Sequence, residues 1–409
     1  MRASRIALFA CAYNEVDGVA NTVHRFEDYA RRHRIPMLIV NGGYEQREFT
    51  DGSIRRFEYR RKFPKFPLDK KHDFDLLFWR YFDAVKKAVA DFHPDLVHIT
   101  GPSDVGMMGA LVAHRLHVPL VASWHTNLHE YAEQRALPLL PFAPSGLRKF
   151  LGEKIGQGSL KALGRFYHIP RMLFAPNAEL IELLQRITGK ECHLMSRGVD
   201  VDLFSPERRT RQRGTFTLGY VGRITTEKNV EMLVRLENDL LQRGATNFRF
   251  LVVGQGASEP WLRENLKQAD FAGVLRGEKL AEAYANMDAF VFPSRTDTFG
   301  NVVLEALASG VPAIVTDAGG PKFIVRDGET GFVARNERQF AEAALQLIAN
   351  PEMHRSMSRT ARAYALAQSW DSVFDHVFDK YCGMLTAGPN ASEDLPTVSP
   401  RFSTAGAQA

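Results

Sequence analysis

The chain has 409 residues, of which 45% are apolar, so it can bury substantial hydrophobic cores and is long enough for two domains. Its 52 Lys and Arg residues against 47 Asp and Glu leave a formal charge of only +5, which gives no reason to expect a nucleic-acid partner. Cys11, Cys192 and Cys382 form no C-x-x-C pair, so neither a disulfide framework nor a zinc knuckle is indicated, and a reducing, cytoplasmic location is expected.

The first residues have some features of a short signal peptide, because Arg2 and Arg5 precede an apolar run. That run is short and leads into the polar pair Asn14-Glu15, so its length suits a first buried strand better. No segment approaches the roughly 20 apolar residues that cross a bilayer. Any membrane contact would therefore be peripheral, on the inner face of the membrane.

Short apolar runs that end in small or polar residues alternate with longer segments of helical period. In the first half of the chain we predict strands at residues 6–13, 36–41, 96–100, 120–124 and 172–176. After a polar, charged segment the alternation restarts, with strands at residues 217–221, 248–253, 273–275, 289–293 and 312–316. This pattern predicts an α/β protein with two Rossmann-like domains, and a ligand site in the cleft between the carboxyl ends of their strands.

The same pattern sets the domain boundaries. We predict a first domain at residues 1–197, a linker at 198–215, a second domain at 216–369 and a further helix within 370–387. The last helices of the second domain are expected at residues 341–349 and 351–366. Residues 388–409 are rich in Pro, Ser, Thr and Ala, and we expect this tail to be disordered.

Residues 55–71 combine many basic side chains with aromatic ones and contain only two acidic residues, Glu58 and Asp69. Two interpretations fit this composition. The stretch is either a solvated loop or a surface that attracts anionic lipid headgroups.

Two basic residues follow the first predicted strand of the second domain, in G-R-I-T-T-E-K-N. Arg223 comes directly after the strand, and Lys228 follows five residues later. Both are expected at the mouth of the cleft, where two fixed cations can hold a diphosphate. By itself this pattern is only weak evidence for a diphosphate site, because surface loops often carry such charges. Its position directly after a buried strand makes that evidence stronger.

A second candidate feature is S-R-T-D-T-F-G-N-V-V-L-E-A-L-A-S, a predicted loop and helix. The backbone amides of Phe299, Gly300 and Asn301 fall at the helix N-terminus, where unpaired N–H groups and the helix dipole favour phosphate. Asp297 precedes the helix and Glu305 lies within it, so both can face one ligand. The two carboxylates could be an acid and base pair for glycoside hydrolysis. With cations and amides nearby, they suit the gripping of hydroxyl groups better.

The run F-V-F-P-S-R-T-D-T-F-G-N-V-V-L-E-A-L-A-S-G resembles the retaining GT-B glycosyltransferases of family 4, whose second domain carries a Glu, seven residues and another Glu. G-R-I-T-T-E-K-N resembles that family's Arg and Lys motif, S-R-G-V-D-V-D-L-F-S-P its linker, D-G-V-A-N-T-V its glycine loop and V-A-S-W-H-T-N its His-bearing strand end. The resemblance implies a GT-B fold, with two Rossmann-like domains facing across a cleft and a last helix crossing back to the first. The first Glu of the family pair is Asp297 here.

The resemblance also implies a role for each matching residue. Arg223 and Lys228 would neutralise the donor diphosphate, Asp297 would hold hydroxyl groups of the donor sugar, and His125 would bond a sugar hydroxyl near the reacting carbon. Glu305 would hold the ribose hydroxyls and Gly18 would let the first domain close on the phosphate. The backbone at Phe299, Gly300 and Asn301 would support the sugar and phosphate, and the backbone at Leu275 and Arg276 would meet the base.

The implied reaction is the metal-independent, retaining transfer of a hexose from a nucleotide-sugar donor to a lipid or glycan acceptor, without a cofactor. W-H-T-N-L-H-E-Y, S-R-G-V-D and A-G-G-P are most similar to GDP-mannose-dependent α-mannosyltransferases, although sulfolipid synthases that use a UDP-sugar share much of the pattern. A lipid acceptor would bring peripheral contact with an anionic membrane. A nucleotide-sugar epimerase or hydrolase, or an inactive GT-B binding protein, remains as an alternative of another class.

Two weaker signals suggest metals and are set aside. Asp200-Val201-Asp202 matches the D-x-D that binds a metal–nucleotide in a different glycosyltransferase fold, but it lies in the predicted linker. His125 and His129 have helical spacing, yet no third zinc ligand is evident near them. We therefore predict no metal site.

Overall fold

The computed structural model describes residues 4–14, 18–67, 73–125, 145–211 and 214–387. The first domain has ten described strands: β1 (Ile6–Ala10), β2 (Met37–Gly43), β3 (Arg47–Asp51), β4 (Ile54–Arg60), β5 (Lys65–Pro67), β6 (Asp73–Asp75), β7 (Leu96–Ile99), β8 (Leu120–Ser123), β9 (Met172–Ala175) and β10 (Cys192–Leu194). Eight of them form one sheet in the order β10-β9-β8-β7-β1-β2-β4-β3, and β5 pairs with β6 separately. Every pair in the large sheet is parallel except the β3–β4 hairpin.

Helices alternate with the parallel strands of this sheet. They are α1 (Gly18–Arg32), α2 (Phe82–Phe92), α3 (Asp104–Leu116), α4 (Ser145–Tyr167) and α5 (Ala178–Thr188). The central strands β1 and β2 are buried along their whole length, as expected when helices cover both faces of a parallel sheet.

The second domain repeats this plan with a six-stranded sheet. Its strands are β11 (Phe216–Val221), β12 (Phe248–Val253), β13 (Ala269–Gly273), β14 (Ala289–Phe292), β15 (Ala313–Thr316) and β16 (Gly331–Ala334). They are all parallel, in the order β13-β12-β11-β14-β15-β16. Its helices are α6 (Glu231–Gln242), α7 (Glu259–Asn265), α8 (Gly277–Ala285), α9 (Asn301–Ala308), α10 (Glu337–Ala349) and α11 (Pro351–Leu366). The α/β fold of two Rossmann-like domains is thus confirmed.

A final helix, α12 (Trp370–Thr386), returns from the second domain and packs on the first, as the resemblance implied. Its apolar face joins the core that lies beneath α1, where the Phe374 ring stacks on Phe26 with 4.6 Å between centroids. Burial of large aromatic side chains makes this return a substantial part of the first domain's core.

Side-chain caps fix where several helices begin. Ser103, Asn177 and Asn336 each accept a hydrogen bond from the backbone N–H three residues later, at the starts of α3, α5 and α10. Such caps satisfy one of the amides that a helix N-terminus leaves without a partner.

The linker is attached to the second domain by two arginines. Arg209 donates to the carbonyls of Ala285 and Met287 and forms an ion pair with Asp288. Arg362 of α11 donates to three carbonyls, those of Val201, Phe204 and Ala308. These bonds satisfy backbone carbonyls that would otherwise lack partners.

Most of the predicted strands are confirmed, and one is wrong. The predicted strand at residues 273–275 begins four residues too late, because the chain pairs with β12 at Ala269–Gly273. This edge strand reads A-D-F-A-G and alternates between partly buried and exposed residues, so it lacks the apolar run that identified the other strands.

The interpretation of residues 55–71 as a solvated loop is also wrong for its first part. Residues 54–60 form β4, parallel to β2, with Phe57 and Tyr59 buried. The charged side chains find partners there, since the Arg56 guanidinium lies 4.0 Å from the centre of the Tyr13 ring. Residues 68–71 and the tail at 388–409 lie outside the described residues.

None of the helices in the described part of the chain combines the length and apolar composition that a membrane span requires.

Candidate active site

Two helix N-termini face each other across the cleft. Helix α1 begins at Gly18 in the first domain, and α9 begins at Asn301 in the second. A Cβ atom built on Gly18 would lie 3.4 Å from the Nδ2 atom of Asn301, so the starts of the two helices lie in van der Waals reach of each other. The residue before α9, Gly300, has φ +94, a conformation that other residues rarely adopt. Both helix dipoles therefore present partial positive charge to the same point, which suits an anionic group.

An ion pair lies on the second-domain side of this point. The Lys228 Nζ atom is 2.7 Å from Oδ1 of Asp297, and the two side chains are only 13% and 22% exposed. The structure thus joins the two loops that follow β11 and β14. The second carboxylate oxygen of Asp297 is buried and has no hydrogen-bond partner among the described residues. A buried acceptor of this kind needs a donor, and a ligand hydroxyl would supply one.

Arg223 lies nearer to solvent than Lys228. Its side chain is about half exposed and contacts Glu227, with 2.6 Å between Nη2 and Oε1. Its backbone carbonyl accepts a hydrogen bond from the Tyr220 hydroxyl, which fixes the main chain where β11 ends. Arg223 and Lys228 therefore lie on one loop, with Lys228 as the more enclosed cation.

Glu305 lies about 6 Å along the helix axis from the first residue of α9. Its Oε2 atom accepts a hydrogen bond of 2.9 Å from the hydroxyl of Tyr284, a fully buried residue of α8. Burial raises the pKa of Glu305 from its ordinary 4.5 to about 7, while the Tyr284 hydrogen bond and the charge of Arg25 oppose the shift. Asp297 and Glu305 thus have separate protein partners and are not a mutually bonded acid and base pair.

His125 follows β8 at the cleft, with its ring buried and both nitrogens bonded to protein. Nδ1 is 2.6 Å from an Nη atom of Arg197, and Nε2 is 2.7 Å from Oγ of Ser123. An arginine N–H can only donate, so Nδ1 accepts, and the neutral ring carries its proton on Nε2 and donates it to Ser123. Burial, then Arg197, then His98 lower the pKa of His125.

The Ser123 hydroxyl extends this arrangement into the core of the first domain. It lies 3.0 Å from Nε2 of His98, whose Nδ1 contacts the hydroxyl of Tyr381 on α12. Burial lowers the pKa of His98 to about 3, so this ring is also neutral. A buried polar chain thus runs from the returning helix to His125, and the sugar contact of His125 implied by the resemblance stays a prediction.

The remaining predicted residues lie in second-domain loops that follow strands of its sheet. Phe299 is buried beneath the start of α9, while Leu275 and Arg276 lie in the loop between β13 and α8. Leu275 packs against the second-domain core and Arg276 is exposed at the first turn of α8. These positions follow strand ends of one parallel sheet, where a nucleotide is expected to bind.

Sequence reasoning missed several polar partners. Tyr284, Ser123 and Arg197 hold the predicted residues Glu305 and His125, yet no motif singled them out. Among the described residues, no three His, Cys, Asp or Glu side chains gather where they could hold a metal ion, and His129 lies outside them.

Comparisons with known proteins identify the family. The model for glycosyltransferase family 4 matches residues 16–203, and the model for group 1 glycosyl transferases matches residues 215–350. Among curated relatives, a GDP-mannose-dependent alpha-mannosyltransferase of Mycobacterium tuberculosis is 31% identical over 92% of this chain and 96% of its own length. The sulfoquinovosyl transferase SQD2 of Arabidopsis thaliana is 30% identical over 80% of this chain and 63% of its own.

A solved structure supports the fold. Sucrose-phosphate synthase from Thermosynechococcus elongatus superposes with a TM-score of 0.72 at 18% identity, covering 94% of this chain and all of that one. The chain therefore belongs to the family 4, group 1 glycosyltransferases, with the GT-B fold, and is a hexosyltransferase. This membership favours sugar transfer over an epimerase, a hydrolase or an inactive binding protein.

We expect Glu305 to lower the stability of the ligand-free protein at neutral and higher pH. Because its pKa is raised on folding, the folded chain holds this proton between about pH 4.5 and 7 while the unfolded chain releases it. The stability cost is therefore small at low pH and complete above pH 7. Glu305→Gln should raise the melting temperature at pH 8 by a few degrees, about 1–2 kcal/mol, and much less at pH 5.

Thermal unfolding of the wild-type protein and of Glu305→Gln at pH 5 and pH 8 measures this effect. Glu264→Gln, an exposed change in the same domain, is the matched control and should shift the melting temperature little at either pH. An equal stabilisation by Glu305→Gln at both pH values would contradict the raised pKa.

Proposed function

We propose that the protein is a retaining mannosyltransferase that moves mannose from GDP-mannose to a lipid or glycan acceptor. The observation that carries this proposal is the shielded ion pair of Lys228 with Asp297, on the loop that leads into α9, whose first residue lies against the start of α1. Such a site suits a diphosphate with a sugar attached. The mycobacterial relative named as a GDP-mannose-dependent enzyme, similar over nearly its whole length, supports mannose as the sugar.

In this proposal the ion pair between Lys228 and Asp297 separates when the donor binds, and each of the two side chains binds a different part of the donor. The diphosphate takes the ammonium of Lys228, and the Asp297 carboxylate turns to the hydroxyl groups of the sugar. Its buried second oxygen has no donor in the part of the chain that the structure describes, so it can accept a hydrogen bond from the sugar. Glu305, deeper along α9 and held by Tyr284, takes the ribose hydroxyls.

The chemistry requires a nucleoside diphosphate to leave a sugar carbon that acquires oxocarbenium character. Catalysis then consists mainly of stabilising the charge that develops on the departing phosphate, by Lys228, Arg223 and the amides of Phe299 and Gly300. In this arrangement the Asp297 carboxylate binds hydroxyl groups of the sugar, so we do not assign it as a nucleophile on the opposite face. We therefore propose attack on the same face, with a phosphate oxygen of the leaving group accepting the proton of the acceptor hydroxyl.

These fixed cations and amides supply the neutralisation that a metal ion provides in other glycosyltransferases. We accordingly propose that transfer needs no metal and no cofactor. The alternative donor, a UDP-sugar, is supported by the similarity to sulfoquinovosyl transferase SQD2. A UDP-sugar differs from GDP-mannose in its base and its sugar only.

A nucleotide screen separates these donors. A ligand that binds only the native state raises the melting temperature, so GDP should raise it more than UDP or ADP at equal concentration. Lys228→Ala should abolish most of this shift and lower turnover of GDP-mannose by about 100-fold, the usual loss when a charge-stabilising group is removed.

Lys267→Ala, which removes an exposed lysine of the same domain, is the control and should keep both properties. A shift with UDP alone would favour the UDP-sugar alternative, and unchanged kinetics in Lys228→Ala would contradict the proposed role of that residue.

A lipid acceptor is supported by a surface patch formed by Lys62, Phe63, Leu76, Leu77, Trp79 and Arg80. Phe63 is 87% exposed and Trp79 is 56% exposed, beside cationic side chains. Hydrogen bonds fix the backbone of this patch, because the buried Asp75 carboxylate accepts them from the backbone N–H groups of Lys62 and Leu77. Aromatic and basic side chains together favour an anionic membrane interface.

Liposome sedimentation tests this patch. The wild-type protein should partition with vesicles that contain anionic lipid more than with neutral ones, and the double change Phe63→Ala and Trp79→Ala should remove most of this preference. Trp261→Ala removes a comparably exposed aromatic residue of the second domain and should leave partitioning unchanged. Equal partitioning into neutral and anionic vesicles would count against membrane contact at this patch.

A further inference from the structure

The loop that carries Asp297 and Phe299 is bonded to the first domain through the residue between them. The Thr298 hydroxyl donates to the backbone carbonyl of His125 at 2.9 Å. The Thr298 carbonyl accepts from Nδ2 of Asn177 at 2.7 Å. One residue of the second domain thus makes two hydrogen bonds to two different segments of the first, the segments that follow β8 and β9.

The first-domain partners are themselves fixed. Asn177 is 4% exposed, and its Oδ1 caps α5 by accepting from the Leu180 N–H at 3.0 Å. With its oxygen used in this way, the side-chain nitrogen necessarily points in the other direction, toward Thr298. His125 is fixed by the bonds of its ring to Ser123 and Arg197. Neither partner is a flexible surface side chain.

The second domain holds the opposite side of the loop. The backbone N–H of Gly320 donates to the Asp297 carbonyl at 2.6 Å. A Cβ atom at Gly320 would lie only 2.1 Å from the Thr298 carbonyl oxygen, so any other residue would displace the loop. Beside these contacts, Lys322 forms an ion pair with Glu179 in the first turn of α5. The loop is therefore enclosed between the two domains.

We propose that Asn177 and Thr298 are positioning residues, and that the contacts Asn177–Thr298–His125 form an interdomain clasp that orients Asp297 and the amide of Phe299. The first domain thereby completes the donor site of the second. When the cleft opens, the clasp is lost and the loop relaxes, so the arrangement that acts on the sugar exists only in the closed molecule. The catalytic part of this proposal rests on the proposed sugar transfer, whereas the ordering of the loop does not.

The clasp predicts a particular kinetic pattern. Nucleotide affinity depends mainly on Lys228 and Glu305, so losing the clasp should change the affinity for GDP less than twofold. Orientation of Asp297 matters in the transition state, so kcat should fall. Thr298→Val keeps the side-chain shape and removes one hydrogen bond, and we expect a loss in kcat of about 5–10-fold.

Asn177→Asp is the sharper variant. Aspartate still caps α5, but its second oxygen would face the Thr298 carbonyl and repel it, so the loss in kcat should exceed that of Thr298→Val. Asn336→Asp is the matched control, because Asn336 caps α10 in the same way through the Gln339 N–H and is exposed. It should change neither kcat nor the exchange measured below.

Hydrogen exchange of the ligand-free proteins tests the clasp without any substrate. The Gly320 amide, which donates to the Asp297 carbonyl of this loop, should be protected in the wild-type protein and in Asn336→Asp. It should exchange at least severalfold faster in Thr298→Val and Asn177→Asp, with melting temperatures within about two degrees. If Asn177→Asp and Asn336→Asp behave alike in exchange, the clasp is refuted. If exchange responds as expected but wild-type protein does not use GDP-mannose, the clasp stands and the proposed donor is wrong.

Discussion

The ion pair between Lys228 and Asp297 determines how the cleft can work. It joins the loops that follow β11 and β14, and both partners are mostly shielded from solvent. A shielded ammonium needs a compensating charge, and the Asp297 carboxylate supplies it when no donor is bound. A diphosphate that enters the cleft therefore competes with a carboxylate already in place. The helix N-termini at Gly18 and Asn301 supply the additional attraction that favours the diphosphate.

The first domain contributes to this site through polar contacts fixed in its own core. The chain from Tyr381 through His98 and Ser123 ends at His125, and the carbonyl of His125 reaches Thr298 in the second domain. Tyr381 belongs to the helix that returns from the second domain, so this helix is connected to the cleft through the polar chain. Neutral histidines suit this arrangement, because a protonated ring at His125 would place a second donor against Arg197.

The features that could be predicted from sequence were those with a local signal. Apolar runs identified most strands, and the loops that follow two of those runs carry Arg223 and Asp297. Strand β4 was missed because its charged side chains are stabilised by distant partners, as Arg56 is by Tyr13. The contact between Asn177 and Thr298 joins residues 121 positions apart, and it depends on how the domains meet. Tyr284 was missed because its bond to Glu305 depends on how two helices of the second domain pack together.

The account depends most on the claim that a donor diphosphate displaces Asp297 from Lys228. Titration calorimetry of GDP, with UDP in parallel, into wild-type protein and Asp297→Asn tests it directly. Asparagine has nearly the same shape and no charge, so removing the competing carboxylate should tighten nucleotide binding by about 3–10-fold, up to 1.4 kcal/mol, while turnover falls. Unchanged or weaker nucleotide binding in Asp297→Asn would contradict the account.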